Sequence, residues 1–153
     1  MTLRTQFNDA LKEAMLKKDE RTVATVRMIM AKMKDLDIAA RPSGNTTGID
    51  DAAIGTMMQG MIKQRRESIA LYEKGNRPDL VKQESEEITV IERFLPKQMG
   101  EDEIKAAIAG IIASTGAKDI KDMGKVMGEL KKNYAGQMDF AQAGALVKSQ
   151  LAA

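Results

Sequence analysis

Apolar residues recur three and four positions apart along most of this chain, which is the spacing of one buried face of an α-helix. In the first 95 residues, four such stripes predict helices at about residues 3–15, 23–36, 54–72 and 80–94. The stripes alternate with charged and polar positions, so each predicted helix is amphipathic. The pattern therefore favours a helical bundle with one buried side to every helix.

The predicted helices are bounded by residues that favour helix ends. Thr2 is placed to cap the first helix, and Asp79 is placed to cap the fourth. The third helix begins at Asp50 or Asp51. Residues 42–48 contain Pro, Ser, Gly, Asn and Thr but no apolar residue, which predicts an exposed and mobile loop.

Pro96 marks the boundary between two predicted domains, because the residue before a proline disfavours the helical conformation. We place an N-terminal domain of about four helices at residues 1–95 and a linker at residues 96–100. Residues 101–153 show three further amphipathic stripes, and an acidic cluster at 101–103 suits the start of the first. The predicted fold is all-α, with a small three-helix domain at the C-terminal end.

Composition supports a helical protein and excludes most catalytic chemistry. Only 3% of the residues are aromatic and Trp is absent, whereas helix-forming residues such as Ala, Met, Leu, Lys and Glu are abundant. Cys and His are both absent, which excludes disulfides, thiolate nucleophiles, imidazole bases and nearly every transition-metal site. We therefore predict no catalytic residue, no cofactor and no metal.

No part of the sequence has the pattern of a membrane span or of a secretory leader. The longest apolar stretches are far shorter than the roughly 20 residues that a spanning helix requires. No apolar run follows a basic segment near the N-terminal end. We therefore expect no membrane partner and a cytoplasmic location.

The overall charge does not indicate a nucleic-acid partner, so local clusters of lysine matter more. The chain has 24 Lys and Arg against 22 Asp and Glu, a net charge of +2. Within fifteen residues, however, it groups Lys118, Lys121, Lys125, Lys131 and Lys132. Gly124 and Lys125 stand at a predicted helix start, where backbone N–H groups and a lysine could hold a phosphate.

An alternative interpretation of the same cluster is a solvated charged face. Asp119, Asp122 and Glu129 dilute the lysines, and charged runs are usually exposed surface. Gly124 and Gly128 could then be present because they allow close packing against a neighbouring helix. The sequence leaves both interpretations open.

A second group of basic residues lies on the predicted third helix. Lys63, Arg66 and Lys74 form a second candidate binding surface, while Arg65 interrupts the apolar stripe. The alternative, which we favour, is that these cations pair with glutamates 84, 86 and 87 of the next helix, an antiparallel neighbour. A buried Arg65 would require such a partner.

Three segments carry a resemblance to a known family. They are KQRRESI at residues 63–69, LPKQM at residues 95–99 and DMGKVMG at residues 122–128. Together they resemble the GatB/YqeY domain family, and the likeness fits its stand-alone YqeY-like members, in which a helical domain precedes a three-helix domain. The chain departs from the family pattern at residues 136–140, where only Gly136 and Asp139 match.

The resemblance implies a function for the three-helix domain. In the family this domain is similar to the tail of the GatB subunit of a glutamine-dependent aminoacyl-tRNA amidotransferase, which engages tRNA. We therefore expect a non-catalytic tRNA-interacting module. The alternatives are an adaptor for a protein partner such as an amidotransferase or a synthetase, and an accessory part of a glutamine-dependent carbon–nitrogen ligase.

Overall fold

The computed structural model describes residues 2–152, and in that range the chain forms seven α-helices and no strand. The contacts divide the chain into two compact units, one that ends at Leu95 and one that begins at Pro96. Four of the helices lie in the first unit and three in the second. The predicted all-α fold is therefore confirmed.

The first unit contains the helices α1 Leu3–Leu16, α2 Glu20–Ala40, α3 Asp51–Lys74 and α4 Pro78–Glu92. A three-residue connection folds α4 back on α3, and these two helices make the most extensive contact in the unit. The helix α2 packs on both α1 and α4.

The core of the first unit is built from the apolar stripes of all four helices. Two aromatic rings meet edge to face at this core: the ring centroids of Phe7 and Phe94 are 4.9 Å apart. The buried residues are Phe7, Val26, Ile29, Met33, Ile54, Met57, Met58, Met61, Ile62, Val90 and Ile91. The unbranched methionines fill the space between the branched side chains.

Two of the predicted helix caps are present and one is not. The hydroxyl of Thr2 accepts from the N–H of Thr5, and the carboxylate of Asp50 accepts from the N–H of Ala53. The prediction that Asp79 caps α4 is wrong, because α4 begins two residues earlier than predicted, at Pro78, and Arg77 is at its N-cap position. Proline suits the first position of a helix because its φ is already helical and it has no N–H to satisfy.

The loop between α2 and α3 is held at its C-terminal end. Arg4 donates two hydrogen bonds to the carboxylate of Asp37, at 2.7 and 2.9 Å, and a third to the carbonyl of Ile49. The N–H of Ile49 donates to Asp37 at 2.8 Å. We call Arg4, Asp37 and Ile49 the clasp. It ties α1 to the end of α2 and to the residue before the cap of α3.

The second unit contains α5 Glu101–Thr115, α6 Met123–Asn133 and α7 Phe140–Ala152. A one-turn 3-10 helix, Ile120–Asp122, leads directly into α6. The buried residues of this unit are Ile104, Ile108, Ile111, Val126, Leu130, Met138, Ala143, Val147 and Leu151.

Residues 96–100, which we predicted to be a linker, belong to the second unit instead. The N–H of Met99 donates to the carbonyl of Gln137 at 2.8 Å, and the side-chain amide of Gln98 donates to the carbonyl of Gly136 at 2.7 Å. These bonds fasten the segment to the turn between α6 and α7. A segment that sequence alone presents as a connection is thus bonded to one of the two units.

Candidate nucleic-acid interface

One side of α6 exposes lysines and glycines together. Successive residues of a helix are about 100° apart, so positions 124, 125, 128, 131 and 132 fall within about 120° of one another around α6. All five residues are exposed: Gly124, Lys125, Gly128, Lys131 and Lys132. The buried Val126 and Leu130 lie on the opposite side. We call these five exposed residues the α6 face.

The two glycines of the α6 face do not serve helix packing. A Cβ atom built on Gly124 or on Gly128 would have no neighbour within 4 Å. The suggestion that these glycines allow a close approach to another helix is therefore wrong, because their missing side chains point to solvent. Their effect is to leave two turns of backbone uncovered between the lysines.

The carboxylates that dilute the lysine cluster in the sequence are bound to backbone groups ahead of α6. Asp119 accepts a hydrogen bond from the N–H of Lys121, and Asp122 accepts one from the N–H of Lys118, each at 2.9 Å. The bond from Lys118 is the main reason that the pKa of Asp122 is lower than usual. Only Glu129, which is half-buried, is an acid on α6 itself.

The lysines of the cluster differ in how they are held. The ammonium of Lys125 donates to the carbonyl of Thr115 at 3.2 Å, so it lies over the C-terminal end of α5, where the helix dipole favours a cation. Within residues 2–152, no carboxylate comes within 4.0 Å of the ammonium groups of Lys118, Lys121, Lys131 and Lys132. These four are therefore free to meet another anion.

The first turn of α6 is a weaker anion site than the sequence indicated. The N–H groups of that turn have no side-chain cap, because Asp122 at the N-cap position makes no side-chain hydrogen bond to them. However, the ionised carboxylate of Asp122 at the same end repels a second anion. The lysines of the α6 face therefore suit an anion better than the helix start at Gly124 does.

The second candidate surface on α3 is partly a structural ion-pair network. Arg65 is nearly buried and donates to the buried carboxylate of Glu87 at 2.9 Å, with Glu84 4.0 Å away. Burial, followed by the charge of Glu87, raises the pKa of Glu84. The predicted partner for a buried Arg65 is therefore confirmed.

The remaining cations of α3 do not follow the predicted pairing. Arg66 pairs with Glu92 at 3.6 Å and not with glutamates 84, 86 or 87. Lys63 and Lys74 are exposed, and neither has a carboxylate within 4.0 Å in the described part of the chain. Arg21 of α2, which sequence reasoning missed, takes the place beside Glu86 at 3.1 Å.

The structure was also searched for a metal position, a cavity and a membrane-spanning helix. No group of three or more acidic residues is arranged around a metal position there. A cavity of about 190 Å³ between α1, α2 and α4 is lined by charged groups that already have partners, such as Glu13 with Lys17 at 2.6 Å. No helix in this range is long and apolar enough to cross a membrane.

The comparison with known families decides the identity of the chain. The family model described as Yqey-like protein matches residues 4–151. The chain belongs to the YqeY-like protein family. The predicted resemblance is thereby confirmed over nearly the whole sequence.

The curated relatives of this YqeY-like chain include yeast proteins named altered inheritance of mitochondria protein 41, mitochondrial. The relative from Lachancea thermotolerans is 32% identical over 104 residues, covering 67% of this chain and 54% of that protein. The relative from Saccharomyces cerevisiae strain YJM789 is 25% identical over 126 residues, covering 78% of this chain and 65% of that protein. The chain thus spans about half to two thirds of these relatives.

The cytoplasmic location that we predicted is contradicted by these relatives, whose names place them in mitochondria. The prediction depended on the lack of an apolar leader. Mitochondrial targeting segments are amphipathic and rich in arginine, so they lack the apolar run for which we searched. The search for an apolar run therefore could not distinguish a cytoplasmic from a mitochondrial location.

Proposed function

We propose that this YqeY-like chain binds structured RNA of the tRNA type through the α6 face and acts without catalysing a reaction itself. The observation that carries the proposal is that Lys125, Lys131 and Lys132 share one exposed side of α6 with two uncovered glycines. The resemblance of this unit to the tail of the GatB subunit supports the choice of tRNA.

The chemistry of the α6 face suits a sugar–phosphate backbone better than exposed bases. Lysine is a mobile point charge that meets phosphates without a fixed geometry. The glycines remove the side chains that would hold a bulky backbone away from the helix. The α6 face has no aromatic residue on which a base could stack, so recognition would depend on shape and phosphate positions.

The test is the binding of tRNA to a variant in which Lys125, Lys131 and Lys132 are replaced with Ala. If each lysine meets a phosphate, binding weakens by about tenfold or more at low salt. The dependence of the logarithm of affinity on the logarithm of salt concentration should also flatten, by about one unit for each phosphate that the variant no longer neutralises. The measurement is fluorescence anisotropy with labelled tRNA over a series of salt concentrations.

A matched control removes the same number of charges elsewhere. Lys17, Lys82 and Lys105 each lie within 4.0 Å of a glutamate four residues away, and their replacement with Ala should leave the salt dependence nearly unchanged. A further variant that changes only Lys131 and Lys132 leaves the hydrogen bond from Lys125 to Thr115 intact. Unchanged affinity and unchanged salt dependence in a stable triple variant would leave the adaptor role as the better proposal.

A further inference from the structure

The exposed side of α2 has a periodicity of its own. Its seam residues alternate at spacings of four and three: Ala24, Met28, Ala31, Asp35 and Ile38. This is the spacing at which one helix of a coiled coil meets its partner. The seam lies about 160° around the helix from the buried side, which faces the first core through Val26, Ile29 and Met33.

The seam leaves apolar surface partly exposed. Met28 is 38% exposed and Ile38 is 45% exposed. Ala24 and Ala31 are small and exposed, so a second helix could approach α2 closely along this line. Met28 is also held in place, because its sulfur accepts from the guanidinium of Arg65 at 3.7 Å.

Four basic residues flank the seam, three of them on one side. Arg27, Lys34 and Arg41 each precede a position of the seam register, at intervals of seven residues, and Lys32 flanks the seam on its other side. Arg41 follows the last residue of α2 with helical angles, φ −58° and ψ −44°, and therefore continues the register. All four are exposed, and no carboxylate lies within 4.0 Å of them in the described residues.

We infer that this side of α2 docks an acidic amphipathic helix of a different protein. In helix pairs, the flanking charges select the partner. A second copy of this chain would bring Arg27 against Lys32 or against another basic flank, whether the helices run parallel or antiparallel. RNA could meet the flanking cations but would leave Met28 and Ile38 without an apolar partner.

Asp35 adds a requirement on the partner. It is the one charged residue of the seam, and a helix laid on the seam would cover it. A covered carboxylate needs an opposite charge or hydrogen-bond donors. The partner helix should therefore carry Lys or Arg opposite Asp35 and acidic residues on its flanks.

The experiment uses the full chain and three synthetic peptides of about four heptads. The first peptide has Leu at the seam positions, one Lys to face Asp35, and Glu on both flanks. The second has Lys on both flanks, and the third has the composition of the first in scrambled order. At about 0.15 M salt, the first should bind roughly tenfold or more tightly than either of the others.

Charge reversal tests whether the flanks select the peptide. The variant Arg27→Glu, Lys34→Glu and Arg41→Glu should lose binding of the acidic peptide by about tenfold or more and should prefer the basic peptide. The control variant reverses the charge of three other exposed cations of the same unit, Lys12, Lys63 and Lys74. It should bind the acidic peptide as tightly as the wild type does and should not come to prefer the basic peptide. Far-UV circular dichroism and thermal melting verify that both triple variants are folded.

A separate variant tests the seam itself. Met28→Gln with Ile38→Gln keeps every charge and should weaken binding of the acidic peptide if the apolar side is buried in the complex. The inference is overturned if the flank and control variants lose the peptide equally, or if the scrambled peptide binds as tightly as the first. It is also overturned if the acidic peptide fails to bind while flank reversal abolishes binding of tRNA or of anionic phospholipid vesicles.

Discussion

Replacing Asp37 with Asn should destabilise the first unit, because the clasp joins segments that are distant in the sequence. The carboxylate of Asp37 accepts three hydrogen bonds, two from Arg4 and one from the N–H of Ile49. An amide in its place keeps one acceptor oxygen and turns an N–H₂ group towards donors. The substitution therefore loosens α1, the end of α2 and the segment before α3 together.

The size of the effect follows from the ionisation of Asp37. The hydrogen bonds from Arg4, followed by that from Ile49, lower the pKa of Asp37 from 3.8 to about 2. Such a difference corresponds to roughly 2.5 kcal/mol. Because the side chain of Arg4 is 34% exposed, solvent screening should reduce the loss to about 1–2 kcal/mol. In a unit of this size, each kcal/mol changes the melting temperature by about 4–8 °C.

The stabilisation by Asp37 should decrease as the solution becomes acidic. A carboxyl group with a lower pKa in the folded state stabilises fully above the pKa of the unfolded chain, and this stabilisation is lost as the pH falls through the folded pKa. The difference in unfolding free energy between the wild type and Asp37→Asn should be constant above about pH 5. It should shrink as the pH falls from about 4 towards 2.

Urea unfolding followed by far-UV circular dichroism, repeated between about pH 7 and pH 3, measures this difference. Hydrogen exchange of residues 41–50 reports the local loosening. The matched control is Asp35→Asn, an exposed aspartate on the same helix that has no hydrogen-bond or ion-pair partner within residues 2–152. Equal effects of the two substitutions, or a difference that is independent of pH, would refute the assignment of stability to the clasp.

Three further predictions concern the ion-pair network, a turn and catalysis. Arg65→Ala removes the closest cation from the buried Glu87 and leaves it only the more distant Arg21, 3.9 Å away, so it should cost about 3 kcal/mol. The double change Arg65→Met with Glu87→Leu should recover most of that loss in thermal melting. A small loss of stability in Arg65→Ala alone would argue against burial of the pair. Gly48→Ala should destabilise the first unit, because the φ angle of Gly48 is +102° and the new Cβ would lie 2.7 Å from Arg4 and 2.9 Å from Asp37. The control is Gly60→Ala, where a Cβ would meet nothing within 4 Å. The purified chain should neither hydrolyse ATP nor amidate aminoacyl-tRNA, and turnover that survives stringent purification would contradict this.

The sequence by itself determined the helices and the need of one arginine for an acidic partner. Apolar spacing is a local property, so the helices and the caps at Thr2 and Asp50 could be located before any tertiary contact was known. The need of Arg65 for a carboxylate was equally clear from its place in an apolar stripe. The family also followed from short segments alone, and the match over residues 4–151 confirms it.

Only the tertiary structure decided which groups meet. That Arg65 takes Glu87, that Arg66 takes Glu92, and that Asp37 binds a residue 33 positions away all depend on how the helices pack against one another. The structure also decided that no other element packs over Gly128, because a Cβ built there would have no neighbour within 4 Å. Spacing along the chain sets the position of a residue around its own helix, whereas its partners are set by the rotation and register of that helix against its neighbours.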